Sequence, residues 1–313
     1  MLSRFAENAF WMGRYMVRVE SLARLLSVTE TFAAGQDSEA AWRPVLEVYS
    51  DSDAFAERGL RVTALNVAKF YLADRSNANS IAFSIDRAKE NARSLRHLLS
   101  TESWRQLSMF HASVMPLTKR RFALSKLSAI CEEIRMGCFT HRGLMEATSY
   151  RDEVWFFNRL GAALDRADQM TRLIDMKYFQ VAPAEDGHPA SADVAWWNTL
   201  LRSASGYHAF QRGHSFNPDP AEAASFLLFD LRFPRSVRGA AATAFAILEK
   251  LENDFHAAPG EQVKKAAKNL AERLEDPPEK LAGRALHRYL DQTQRDIISL
   301  ANALYGRYFS PAA

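Results

Sequence analysis

The stretch Gly13-Arg14-Tyr15-Met16-Val17-Arg18-Val19-Glu20-Ser21-Leu22-Ala23-Arg24-Leu25-Leu26 decides how this chain folds. Tyr15, Val19, Leu22 and Leu26 recur three or four residues apart, the spacing of one helical face. The stretch from Gly161 to Ile174 repeats it 148 residues later. Gly13 falls on Gly161, Arg18 on Arg166, Glu20 on Asp168, Arg24 on Arg172 and Leu25 on Leu173. A second block matches at an offset of 156. There Phe70-Tyr71-Leu72-Ala73-Asp74 falls on Phe226-Leu227-Leu228-Phe229-Asp230, and Ser80-Ile81 on Ser236-Val237. The blocks keep their order, with a small insertion in the second copy. The reading is an all-α, multi-helix bundle made of two tandem pseudo-symmetric helical repeats. The repeats span about 1–148 and 149–313 of one domain over 1–313.

Outward from this stretch, helical periodicity continues along the chain. The first helix is expected from Ser3 to about Phe32, with others over Glu39 to Tyr49 and Val62 to Leu72. Ile81, Ile85, Ala88, Ala92, Leu95 and Leu99 form an apolar stripe, with Trp104, Leu107 and Phe110 continuing as helix. Further helices are expected over Arg120 to Met145, Asp152 to Tyr178, Asp193 to Arg212 and Ser236 to Phe255. A short one precedes Phe229, and a last one covers Leu281 to Tyr308. Val181 to Pro189 reads as a linker, and strand-like alternation is absent at any useful length.

Composition bounds the function classes. The chain has 313 residues, 48% of them hydrophobic and 25% charged, with a net charge of +3. That near balance supplies no general drive toward nucleic acid or an anionic membrane, so no nucleic-acid and no membrane partner is expected. No stretch approaches the roughly 18 apolar residues of a membrane span, and the N-terminus has no signal-peptide pattern. Cys131 and Cys138 are seven residues apart on a helix, too far for a disulfide. Two reduced thiols fit a cytoplasmic protein.

The repeated signature has a physical consequence. Glu20 precedes Arg24, and Asp168 precedes Arg172, by one helical turn, acid first, the favoured orientation for such a pair. Arg18 and Arg166 instead lie beside the apolar stripe, where an unpaired charge is costly. Their own helix offers no carboxylate on that face, so the partner must come from another helix. Two readings stay open. The arginines form buried ion networks that fix helix register, or they converge on a cleft and bind an anion as guanidinium forks do. Arg18, Glu20, Arg24, Arg166, Asp168 and Arg172 are therefore the candidate anion- or substrate-binding residues.

Several blocks carry a resemblance. Leu2-Ser3-Arg4, Ala6-Glu7, Phe10-Trp11, Gly13-Arg14-Tyr15, Arg18, Glu20 and Ala23-Arg24-Leu25-Leu26 resemble the opening of the bacterial alpha-E family, a predicted all-helical domain with a Glu-Arg motif. Ala88-Lys89-Glu90-Asn91-Ala92-Arg93, Leu164-Asp165-Arg166-Ala167-Asp168 and Phe233-Pro234-Arg235-Ser236-Val237-Arg238 also fit. The chain departs in three places: Val17 stands where the family's first Glu is expected, Asp165 stands where the second is, and the turn before Ser80 lacks the family's usual Asp-Asn-Pro form. The resemblance implies a setting beside circularly permuted ATP-grasp proteins and transglutaminase-like proteins, in a system handling peptide or amide bonds. It implies no chemistry for this component itself.

No P-loop, His-Glu-x-x-His or Gly-x-Ser-x-Gly pattern occurs, and no pair of Glu-x-x-His motifs, so no metal and no cofactor is expected. Three functional expectations remain. The chain is an accessory or co-catalytic component that binds a carboxylate-bearing substrate or a partner. Alternatively it is an enzyme acting on a peptide or amide, with Glu7 and Glu90 as acid/base groups and Asn91 and Arg93 as secondary candidates. The third expectation is a structural scaffold.

Overall fold

The structure, a computed structural model, describes residues 3–33, 38–118, 123–180, 191–214 and 219–310. Every regular element among them is helical. The first half holds α1 (Ser3–Ala33), α2 (Ser38–Val48), α3 (Ser52–Ala56), α4 (Ala64–Leu72), α5 (Ile81–Ser94), α6 (Thr101–Val114) and α7 (Leu127–Thr148). The second holds α8 (Glu153–Gln180), α9 (Ser191–Ser203), α10 (Tyr207–Gln211), α11 (Pro220–Phe229), α12 (Val237–Phe255), α13 (Glu261–Glu275) and α14 (Gly283–Leu304). A π-helical turn, Tyr305–Phe309, follows α14.

The two signature helices, α1 and α8, lie at the centre. Leu22, Ala23, Arg24, Leu25 and Leu26 are all buried, and five consecutive residues cover the whole circumference of a helix. A helix buried all round belongs to a core. α1 and α8 run side by side in the same direction, and two glycines let them touch. A Cβ on Gly13 would sit 2.0 Å from the Asn158 carbonyl oxygen, and one on Gly161 would sit 2.0 Å from that of Phe10. The Asn158 amide also donates to the Ala9 carbonyl at 3.1 Å. Around this pair, α5 and α7 pack on α1, and α12 and α14 pack on α8.

The same devices recur at corresponding places in the two halves. Ser80 and Ser236 cap α5 and α12, their hydroxyls accepting from the amides of Phe83 (3.0 Å) and Gly239 (2.9 Å). Those hydroxyls donate back to the carbonyls of Asp74 (2.6 Å) and Asp230 (2.7 Å). The turns after α2 and α9 place Ser50 and Ser205 at φ 54° and 55°. The last carbonyls of a helix lack intrahelical donors, and Arg172 and Arg24 donate to those of Val48 (2.8 Å) and Ser203 (2.7 Å).

Helix boundaries differ from expectation where polar turns interrupt an apolar stripe. The stripe from Ile81 to Phe110 breaks after Ser94, and Ser100 caps a new helix through the Ser103 amide at 3.1 Å. Asp193 to Arg212 divides at Ser205, whose left-handed backbone cannot continue a helix. The short α3 was not expected. α7 begins at Leu127, and the expected start at Arg120 lies outside the described residues, as does the linker from Val181 to Pro189. Cys131 and Cys138 are free and buried.

Candidate functional site

Arg24, Arg166 and Arg172 border one small gap of about 20 Å³, and five of the six signature residues fall into two ion clusters. In the first, Arg14 and Arg18 of α1 both donate through Nε to Asp165 Oδ1, at 2.9 and 3.1 Å. Asp165 is fully buried. This is the cross-helix carboxylate that Arg18 requires. Burial works against the Arg18 charge, but Asp165 and Asp168 outweigh it and raise its pKa. Asp168 also accepts from Arg172 Nε at 2.9 Å, the expected i,i+4 pair. Arg18, Asp168 and Arg172 border only a small gap of about 70 Å³.

In the second cluster Glu20 is the hub. Its Oε1 accepts from Arg24 Nε (3.1 Å) and Nη2 (2.8 Å), and pairs with Arg235 Nη2 at 2.8 Å. Its Oε2 accepts from Arg142 Nη2 at 3.1 Å. Burial alone would raise the Glu20 carboxyl, but Arg235, Arg24 and Arg142 hold it at about 2. Burial and the neighbouring Arg235 charge draw Arg24 down to about 10.

Arg166 differs from the other five candidates. Among the described residues it makes no ion pair or hydrogen bond, and its Nε is buried without a partner. Burial, then the charges of Arg235 and Arg142, lower it to about 10, so it is a cation at neutral pH. Arg166 lines a cavity of about 500 Å³ between α1, α7 and α8. Met16, Val17, Phe139, Met145 and Trp155 make the apolar walls, while Glu20, Arg142, Glu146 and Arg159 contribute charge. Glu146 is tied to Arg151 (3.0 Å) and Arg159 (2.7 Å). His141 also borders the cavity; its Nδ1 faces Gln106 Oε1 at 3.1 Å, and burial lowers its pKa to about 4. The ring is neutral at neutral pH.

Of the six residues singled out in the sequence, Glu20 and Arg166 thus reach the large cavity and the other four do not. Glu7, Glu90, Asn91 and Arg93 do not line it either, and Glu90 pairs with Arg87 at 2.7 Å on an open face. Sequence reading missed Arg14, Arg142 and Arg235 as members. Arg14 and Arg235 stand inside blocks already quoted, whereas nothing near Arg142 marks it. Among the described residues no group of His, Cys, Asp and Glu side chains is placed to hold a metal ion, and no helix is long and apolar enough to cross a membrane.

Comparison with known proteins agrees with this helical architecture. An uncharacterized protein of Mycobacterium bovis and one of Mycobacterium tuberculosis are each 26% identical over 277 residues. A second Mycobacterium tuberculosis sequence is 25% identical over the same length. Each match covers 82% of this chain but 30% of the relative, so the chain spans under a third of those proteins. No solved structure matches. The family model described as a predicted alpha-helical domain with a conserved ER motif matches residues 1–309, and the chain belongs to this family, Alpha-E.

Proposed function

We propose that the chain is a helical accessory or co-catalytic component of an ATP-grasp- and transglutaminase-associated system that makes or breaks peptide or amide bonds. Its contribution is a site for a carboxylate-bearing substrate or partner. One observation carries this reading: Arg166, which makes no ion pair or hydrogen bond among the described residues, lines a cavity of about 500 Å³. Guanidinium groups bind carboxylates as planar forks, and a cavity of this size matches small-ligand sites. The ATP-grasp and transglutaminase-like partners come from the family resemblance. That the matched unit is 30% of each mycobacterial relative suits a component working beside other parts. The cytoplasm, where ATP is at hand and the Cys131 and Cys138 thiols stay reduced, is the compartment this role requires.

The same reading takes the two halves as copies of one unit. The recurring serine caps, the Ser50 and Ser205 turns and the reciprocal glycine contacts support that origin. Scaffold and site then divide among the arginines: Arg18, Arg24 and Arg172 are committed to carboxylates and hold helices together, while Arg166 is left for a ligand. A stand-alone enzyme is less well supported. Glu20 is held ionised at about 2 by three arginines and is a poor proton carrier near neutral pH.

The test is co-purification with the neighbouring ATP-grasp protein and assay of its ligase activity, with Arg166→Met beside the unaltered chain. Arg166→Met is expected to stay helical and to lose its effect on the ligase. A folded variant that supports the ligase fully would overturn the proposal.

A further inference from the structure

We infer that the cavity binds a single carboxylate carried on a hydrophobic group, and that this carboxylate sits against Arg166 as Asp165 sits against Arg18. The inference rests on the carboxylate-binding reading and adds which guanidinium, which cavity and which class of ligand.

The offset of 148 residues that lays Arg18 on Arg166 also lays Val17 on Asp165. Arg18 reaches across the seam to Asp165 at 3.1 Å. The corresponding reach from Arg166 leads to Val17, and both residues border the cavity. An isopropyl group therefore stands where the other side of the seam has a carboxylate. Glu20 lines the same cavity and its charge favours Arg166, but it makes no ion pair with Arg166; its oxygens accept from Arg24 and Arg142 and pair with Arg235. The locality holds more guanidinium than carboxylate charge, and a buried guanidinium is costly without an anion. An incoming carboxylate relieves that cost.

The rest of the cavity selects what carries the carboxylate. Met16, Val17, Phe139, Met145 and Trp155 offer apolar surface to a side chain or acyl tail. His141 is neutral near pH 7 and adds no second cation. Arg142 and Arg159 are already paired with Glu20 and Glu146, so the wall offers no second unpaired guanidinium to another anionic group on the ligand. A free hydrophobic acid and the C-terminal residue of an apolar peptide share the chemistry that fits.

Isothermal titration of the whole chain tests this with four probes: 3-phenylpropionate, its neutral amide, acetate, and N-acetyl-L-phenylalanine. The expected result is that 3-phenylpropionate binds about tenfold or more tighter than both its amide and acetate. N-acetyl-L-phenylalanine binding more tightly still assigns the site to a peptide C-terminus, and weaker binding assigns it to a free acid. Val17→Asp supplies the missing carboxylate from within. It is expected to raise the melting temperature and to weaken 3-phenylpropionate by roughly tenfold or more, whereas Val17→Leu keeps binding within about threefold. If acetate binds as well as 3-phenylpropionate, the hydrophobic class is wrong while carboxylate binding stands. If Val17→Asp binds like the unaltered chain, the placement against Arg166 is wrong. If no carboxylate binds, the inference and the reading beneath it both fall. Should Val17→Asp fail to fold, Arg166→Met with the same probes decides the placement.

Discussion

Arg18 and Arg166 lie on the neighbouring helices α1 and α8 and meet different surroundings. Asp165 pairs with Arg18, whereas Arg166 makes no ion pair among the described residues. The two arginines should therefore respond oppositely to loss of charge. Arg166→Met removes an unpaired buried cation and is expected to stabilise the fold by roughly 1–3 kcal/mol. Replacing Arg14 and Arg18 together by Met strands the fully buried Asp165 and is expected to cost about 3–5 kcal/mol. Urea denaturation compares them directly, and destabilisation of equal size in both would show that Arg166 has a partner after all. His141 gives a second test at this scale. Its ordinary value is 6.5 and burial lowers it to about 4, so the unfolded chain takes up the proton first as pH falls. Stability contributed by the neutral ring is intact above about pH 6.5 and is lost between there and pH 4, by about 3 kcal/mol in all. His141→Gln should flatten that limb of a denaturation-against-pH curve, and an unchanged limb would assign it to other groups.

At the scale of elements, α1 and α8 owe their contact to Gly13 and Gly161. Each faces a backbone carbonyl at 2.0 Å from where its Cβ would be. Backbone cannot yield as a flexible side chain does, so Gly13→Ala or Gly161→Ala must push the helices apart and open the core on both sides. A loss of about 3 kcal/mol is expected for either, whereas Gly143→Ala, inside α7 with nothing within 4 Å of its Cβ, is expected to gain roughly 0.5–1 kcal/mol from helix propensity. Thermal unfolding of the three variants decides it, and near-neutral Gly13→Ala and Gly161→Ala would mean the seam is not close-packed. These central helices were legible in the sequence because their apolar spacing, glycines and charge pairs all point one way. The breaks at Ser94 and Ser205 were not, since the apolar stripe runs on through them and only capping and a left-handed turn stop the helix. Arg142 was illegible for a different reason. It belongs to α7 and meets Glu20 only through tertiary packing, at 122 residues' separation. The open state of Arg166 was half legible: Val17 marks a missing acid, but nothing in the sequence shows that no other helix supplies one.

For the whole molecule, the consequential feature is that neither half completes itself. α1 buries its signature face on α8, and Arg24 of the first half satisfies the closing carbonyl of α9 in the second. Arg172 of the second half does the same for Val48 at the end of α2 in the first, and Tyr49 donates to Gln169 across the seam at 2.7 Å. The joint between the halves is by contrast a surface turn, with Tyr150 84% exposed. Cutting there removes one peptide bond and little packing. Separating the pieces exposes the full apolar faces of α1 and α8, at roughly 25 cal/mol for each Å² of apolar surface. It also leaves buried helix-end carbonyls without donors. Fragments 1–148 and 149–313, made separately, are therefore expected to be largely unfolded or aggregated. Mixed, they are expected to regain helical circular dichroism and a single cooperative transition. A fragment that folds cooperatively on its own would place the core within each half, and the seam with its unpaired arginine would then be an interface between two domains.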